Sequence, residues 1–144
     1  MYKKILVPLD GSPLAEAALL HAEELAKLEH AEIIILRVPI TPVSEYISRD
    51  PNVSSMIRAY TIEEAEDYVH AKVEKINEEH IKATGITREG PVPEMILEVA
   101  NETHADMITM STHGRSGIQR WLMGSVADKI VHHAHIPVML IHPN

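Results

Sequence analysis

Two short, almost uninterrupted apolar runs, Ile5-Leu6-Val7-Pro8-Leu9 and Ile33-Ile34-Ile35-Leu36, constrain this chain more than any other feature. A strand with one wet face alternates apolar and polar residues; a continuous run belongs to a strand covered on both faces. The sequence between the runs supplies such a cover. Asp10-Gly11 turns the chain, and Ser12-Pro13 is a helix start, a capping hydroxyl followed by proline at the first helical position. Leu14, Ala18 and Leu25 continue a helical apolar stripe to about Leu28, and Ala31 to Val38 returns to strand.

The same alternation continues along the chain. Pro39 to Tyr60 has no clear period and three prolines, and reads as a long irregular segment that is functional, mobile or partly helical. Thr61 with Glu64 forms a capping box that predicts a helix to about Ala83, with Ile62, Ala65, Val69, Val73 and Ile76 on its buried stripe. Thr84-Gly85 ends it. Ile86 to Val92 is a weak strand, Pro93 starts a helix over Glu94 to Asn101, and Ala105 to Met110 is a further buried strand. A helix from Ser125 to about Ala134 and a last strand, Val138 to Ile141, complete the pattern. Strands alternating with helices predict one α/β domain over residues 1–144, with a parallel sheet and right-handed crossovers. Spacing alone leaves the strand order open.

Composition narrows the function. A net charge of −8 argues against general affinity for nucleic acid or an anionic membrane, and one tryptophan, four tyrosines and no phenylalanine offer few platforms for base stacking. A small anionic ligand remains compatible, because local amides and a few arginines outweigh a distant acidic surface. Without cysteine there is no disulfide framework and no thiol chemistry. No signal-peptide pattern and no membrane-length apolar run is visible, so a cytoplasmic protein is expected.

The chemistry concentrates after the strand that ends at Met110. Ser111-Thr112-His113-Gly114 is followed by nine residues, Arg115 to Met123, and then by Gly124-Ser125 at a helix start. A strand that empties into a glycine-containing loop opening a helix is a phosphate-holding arrangement, since glycine admits close approach and the first helical amides carry partial positive charge. Each of Gly114, Gly124 and Ser125 alone reads equally as a turn or cap residue; together, at this spacing, they point to phosphate. Arg115 and Arg120 lie in the nine-residue stretch, as phosphate-neutralising groups or as surface arginines. His113 is either a phosphate donor or a structural loop histidine.

At these residues the chain resembles the universal stress proteins. Nucleotide-binding members of that family carry a glycine, two residues, a second glycine, nine residues, and then Gly-Ser or Gly-Thr. Gly114 and Gly124-Ser125 fit, while Ser111 stands where the family has its first glycine. The resemblance extends from Ile5-Leu6-Val7-Pro8-Leu9-Asp10 to Pro137-Val138-Met139-Leu140-Ile141. It implies a Rossmann-like open five-stranded sheet of order 3-2-1-4-5, helices on both faces, and a site at the switch point between strands one and four. There Asp10 and Ser111 would face one crevice. The resemblance further implies ATP, or AMP or ADP, with Mg²⁺ carried by the phosphates. The backbone of Gly114, Gly124 and Val126 and the Ser125 hydroxyl would face the triphosphate. Pro8, Asp10 and Val38 would lie near the adenosine end, and Met110 beside the ribose. It also implies a homodimer through the last strand, Val138 to Ile141, whose apolar edge would otherwise be exposed.

Asp10 has a second, compatible reading as the acceptor of backbone amides in the Asp-Gly turn. Ser111 either hydrogen-bonds a sugar or narrows the pocket. His132, His133 and His135 lack the spacing of three or four that puts metal ligands on one helix face, and read as structural. Met107, Met110, Met123 and Met139 read as core packing; Trp121 packs on the domain or shields the ligand.

The leading expectation is therefore an ATP-binding stress-response or signalling module, in which nucleotide shifts the population of an ordered state toward an unidentified protein partner. A nucleotide-free dimeric interaction protein of the same family is the alternative that Ser111 favours. No Walker loop, dinucleotide fingerprint or catalytic triad is evident, so a dedicated transferase or hydrolase lacks support; the resemblance leaves room for slow ATP hydrolysis.

Overall fold

The computed structural model describes residues 1–40, 49–114 and 123–142. Five strands form one parallel sheet: β1 (Lys4–Pro8), β2 (Glu32–Arg37), β3 (Ala83–Thr87), β4 (Met107–Ser111) and β5 (Val138–Ile141). Four helices connect them: α1 (Pro13–Glu29), α2 (Pro51–Glu78), α3 (Val92–Glu102) and α4 (Ser125–His133). The strand order is β3-β2-β1-β4-β5, as the family resemblance implies. Leu6 of β1 pairs with Ile34 of β2 on one side and with Ile108 of β4 on the other.

The continuous apolar runs are buried on both faces because alternate residues enter different cores. Ile5, Val7, Ile33 and Ile35 pack with Ala15, Leu19, Ala22 and Ala26 of α1 and with Val69 and Ile76 of α2. Leu6, Ile34 and Leu36 pack against Ile96 and Val99 of α3 and against Ala127 and Ile130 of α4. Each isoleucine or leucine removed from water in this way contributes roughly 1.5–3 kcal/mol.

The expected start of α1 is observed: the Ala15 amide donates to Ser12 Oγ at 3.2 Å, with Pro13 opening the helix. α2 differs from the sequence expectation. It begins at Pro51, where Asp50 Oδ1 accepts from the Asn52 amide at 2.9 Å, so Pro51 to Tyr60 is helical. Thr61 is inside the helix and caps nothing; its hydroxyl donates to the Ile57 carbonyl at 2.8 Å. The helix also ends early, at Glu78, which releases Ala83 to Thr87 as β3 and shifts that strand ahead of the expected Ile86 to Val92. Thr84-Gly85 is strand, paired with Ile34 and Ile35 of β2, and a Cβ on Gly85 would collide with the Val69 side chain of α2. Helix α3 runs from Val92 to Glu102, slightly beyond both expected ends.

Three of the ten histidines end helices. His30, His80 and His104 follow α1, α2 and α3 with φ of 56°, 65° and 56°, the left-handed conformation that commonly closes a helix. Histidine is among the few residues besides glycine enriched there. On α4, His132 Nδ1 lies 2.7 Å from the Asp128 carbonyl oxygen. Among the described residues no three His, Cys, Asp or Glu side chains are grouped to hold a metal ion. No described helix is long and apolar enough to cross a membrane.

Candidate functional site

The first connection, from β1 to β2, leaves the sheet on one side of β1, and the chain from β4 to β5 leaves on the other. The carboxyl ends of β1 and β4 therefore part around a crevice. A cavity of about 260 Å³ occupies it, just below the ~300–1,000 Å³ typical of small-molecule pockets. Of the residues expected there, Pro8, Asp10, Val38, Met110, Ser111, His113, Gly114, Gly124, Ser125 and Val126 all line it. Arg115, like Arg120 and Trp121, lies outside the described residues.

The cavity has two chemically distinct ends. Leu36 and Val38 of the β2 end, Ile40 beyond it, Val92 and Ile96 of α3, and Met110 of β4 make an apolar wall. Gly114 and the start of α4, Gly124 to Ala127, complete the lining, with the glycines and Ser125 as its small and polar residues. The first amides of a helix have no intrahelical acceptor, so the start of α4 at Ser125 and Val126 carries partial positive charge at the edge of the cavity. Leu36, read in the sequence only as part of a buried strand, and Ile40, not singled out there, sit two residues either side of Val38. Val92 and Ile96, four apart on α3, are the other missed pair, and nothing local in sequence ties that helix to the site.

Asp10 performs the structural task expected of it: Oδ1 accepts from the Ser12 amide at 2.9 Å and so fixes the turn that begins α1. Its other oxygen packs against Gly114, where a Cβ would collide with it, so the ends of β1 and β4 meet across the crevice through this pair.

Gly124 departs from the expectation that its amide faces phosphate. That N–H donates to the Thr112 carbonyl at 2.7 Å. A Cβ on Gly124 would stand 2.8 Å from the same oxygen, so only glycine brings the start of α4 this close to the end of β4. The glycine thus places the Ser125 and Val126 amides and is itself consumed in doing so.

Ser111, Thr112 and His113 are buried and hydrogen-bonded among themselves. The Ser111 hydroxyl donates to the His113 carbonyl at 2.5 Å, and Thr112 Oγ1 lies 2.9 Å from His113 Nδ1. The Thr112 amide donates to the Ile141 carbonyl at 3.1 Å and continues the β4–β5 ladder past Ser111. The loop root is thereby fixed before any ligand arrives. Thr112 was not singled out in the sequence; its side-chain and carbonyl contacts both depend on the tertiary turn.

Polar contacts on the opposite face of the sheet fasten the two helices beside the crevice. The Tyr68 hydroxyl of α2 donates to Glu16 Oε1 of α1 at 2.8 Å, and Lys72 Nζ approaches the same oxygen at 2.7 Å. Lys72 holds the Glu16 carboxyl below its ordinary range, while burial, reinforced by Glu16, pushes the Tyr68 phenol up. The buried Arg37 guanidinium stacks 4.7 Å from the Tyr68 ring centroid.

Comparison with known proteins gives this geometry its context. A sequence model of the universal stress protein family matches residues 1–142. The universal stress protein MJ0531 of Methanocaldococcus jannaschii is 34% identical over 142 residues, 98% of this chain and 82% of that protein. The solved structure of MJ0577 from the same organism superposes with a TM-score of 0.86 at 28% identity, covering 100% of this chain and 98% of that one. The universal stress protein of Archaeoglobus fulgidus, solved in complex with dAMP, shares the fold with a TM-score of 0.62 at 23% identity, over 97% and 98% of the two chains. On the evidence of its sequence, its strand order and its switch-point cavity, the chain belongs to the universal stress protein family.

Proposed function

We propose that this protein binds an adenine nucleotide, ATP in the first instance, at the switch-point cavity and acts as a nucleotide-dependent stress-response or signalling module in the cytoplasm. The observation that carries the reading is the polarity of the cavity. An apolar wall from Leu36 to Met110 suits a base, and the Ser125 and Val126 amides suit phosphate at the opposite end. The dAMP complex of the Archaeoglobus fulgidus relative supports the ligand class.

Asp10 is the one carboxylate among the described residues lining the cavity, and its Oδ1 already accepts the Ser12 amide. The described residues lining the cavity therefore supply no separate cage for a cation. Mg²⁺ would arrive on the phosphates and neutralise part of their charge, with Asp10 as the carboxylate that the described lining offers. The Ser125 hydroxyl and the two amides would orient the phosphate chain. A homodimer joined through β5 and a protein partner that senses the bound state complete the proposal.

A second reading, a nucleotide-free dimeric adaptor, is favoured by one observation: the Gly124 amide is already satisfied by Thr112. Calorimetry with ATP and Mg²⁺ on the wild type and on Ser125→Pro separates the two. Ser125 is the first residue of α4, where proline is well tolerated, and Gly124 has the extended ψ of 153° that a following proline requires. The substitution removes one amide and one hydroxyl donor while leaving the helix in place. Binding that weakens at least tenfold in the variant, with an unchanged thermal midpoint, is the expected result. A folded wild type that binds no adenine nucleotide would assign the chain to the adaptor reading.

A further inference from the structure

At the amino-terminal end of the sheet, away from the switch-point crevice, the ends of α3 and α4 enclose a cavity of about 480 Å³ over the start of β4. That volume is within the ~300–1,000 Å³ of small-molecule sites. Ala100, Ala105 and Ile108 are its buried floor, and with Ala134 at the rim the alanines leave open the space that larger side chains would fill. Its polar lining is Asn101 with His104, His133 and His135, and no Asp, Glu, Lys or Arg is among the described residues that line it. The neighbouring carboxylates are engaged elsewhere: Glu102 accepts from Arg88 Nη1 at 2.6 Å, and Asp106 from the Lys3 and Lys4 amides. Among the described residues none of these three imidazoles has a hydrogen bond or ion pair, whereas that of His132 meets the Asp128 carbonyl. The two helix ends also differ. α3 closes on left-handed His104, with the Ala105 amide donating to the Ala100 carbonyl. α4 has no such closure, because Ala134 leaves it with φ −70° and ψ 141°. No described donor reaches the carbonyls of Val131, His132 and His133. These oxygens point past the helix end, where His133, Ala134 and His135 line the cavity, and they form the negative pole of the helix dipole.

We infer that this cavity is a second ligand site, which takes a small primary amine with an apolar body. The body rests on Ile108 and the alanines, and the ammonium sits at the rim among the histidines. An ammonium has three donors and no acceptor, so it needs a rim of acceptors. Each neutral imidazole supplies one nitrogen, Asn101 supplies its amide oxygen, and the open end of α4 supplies carbonyls. Charge points the same way: the helix end is negative, the whole chain carries −8, and no lysine or arginine of the described lining repels a cation. A carboxylate on the same apolar body meets the reverse, since the helix end repels it. A metal ion is a poorer occupant, because these side chains are not grouped to hold one. The inference is independent of the nucleotide reading, as the two cavities share no lining residue.

Titration followed by the protein's amide NMR shifts at pH 8 tests the inference with three probes of similar shape: phenethylamine, 2-phenylethanol and 3-phenylpropionate. At that pH phenethylamine is still an ammonium. It is expected to shift the amides of Ala105, His135 and Ile136 with roughly millimolar affinity, in keeping with its few non-hydrogen atoms. The alcohol is expected to bind at least about fivefold more weakly, and the carboxylate weakest of the three. Ala134→Leu fills the cavity from its half-buried rim and is expected to abolish the shifts. The double variant His133→Leu, His135→Leu changes exposed side chains only, and serves even if Ala134→Leu does not fold. It is expected to erase the amine's advantage over the alcohol while the alcohol's own affinity stays within about twofold. Equal affinity of the wild type for amine and alcohol, or a preference for the carboxylate, would overturn the inference. Shifts that persist in folded Ala134→Leu would overturn it by placing the probe elsewhere, and an advantage that persists in the double variant would overturn the role of the imidazoles. A wild type that binds none of the three probes would remove the site altogether.

Discussion

A Cβ on Gly124 would stand 2.8 Å from the Thr112 carbonyl oxygen, whereas one on Gly114 would meet the tip of the Asp10 side chain. The motif spacing marks both glycines in sequence as a phosphate loop, yet the physical demands on them differ. Backbone cannot withdraw from a new methyl without moving β4 or α4; a carboxylate can rotate. Gly124→Ala is therefore expected to lower stability by about 1–3 kcal/mol, the usual cost of overpacking, seen as a lower urea midpoint. Gly114→Ala is expected to leave that midpoint nearly unchanged but to weaken ATP binding several-fold, because displaced Asp10 intrudes on the crevice. Equal losses of stability in the two variants would refute the distinction. Sequence could not draw it: the Gly124 contact joins residues twelve apart in sequence that only the folded turn brings together. Nor does sequence show the Ser111 hydroxyl donating to the His113 carbonyl.

At the scale of elements, α2 is two helices' worth of different physics in one. None of residues 51–64 is buried, whereas Ala65, Val69 and Ile76 are. The first half is held by the Asp50 cap and by Arg58, whose Nε and Nη2 donate to the Glu89 carboxylate at 2.9 and 2.8 Å. That explains what was legible. The stripe from Ala65 to Ile76 has a helical period because it faces a core, while Pro51 to Tyr60 has none because it faces water. The readable signal was Asp50-Pro51, the same cap-and-proline pair that correctly marks α1 as Ser12-Pro13. The end of α2 was hidden for another reason, since His80 closes it in a conformation that sequence associates first with glycine. Arg58 holds the Glu89 carboxyl below its ordinary value of 4.5. A depressed carboxylate stabilises the fold above its unfolded pKa, and that contribution disappears as pH falls through the lowered folded value. Backbone carbon shifts of residues 51–60 should thus lose helical character as pH falls below the ordinary 4.5, while those of residues 65–76 hold. In Glu89→Gln the loss should be present already at pH near 6, and a variant indistinguishable from wild type at both pH values would overturn the account.

Across the whole molecule, the two edges of the sheet differ in kind, and this asymmetry bears on assembly. β3 presents Ala-Thr-Gly-Ile-Thr, and β5 presents Val-Met-Leu-Ile, all four residues half-buried. An apolar edge with unpaired backbone groups is a template for another strand. The Ile108 amide donates to the Pro137 carbonyl and the Thr112 amide to the Ile141 carbonyl. Alternate residues of β5 thus face β4, and the backbone groups of Val138 and Leu140 face outward. A second copy related by a two-fold axis can pair there, as we propose for the homodimer. The position of this edge, like that of the cavity, depends on strand order; periodicity located β1, β2, β4 and β5 but set β3 too late in the chain, and only the likeness to a family ordered them. Val138→Pro tests the edge with little change of side-chain volume, since it removes an outward N–H and leaves the β4 ladder intact. Sedimentation should show wild type at twice 16.1 kDa and the variant at 16.1 kDa, with matching far-UV circular dichroism. A variant that still sediments as a dimer would move the interface away from β5, and a wild type monomeric at high concentration would remove it. Because β4 carries Ser111 and pairs directly with β5, dimerisation would also brace the loop root. The monomeric variant is accordingly expected to bind ATP more weakly than wild type in the same samples.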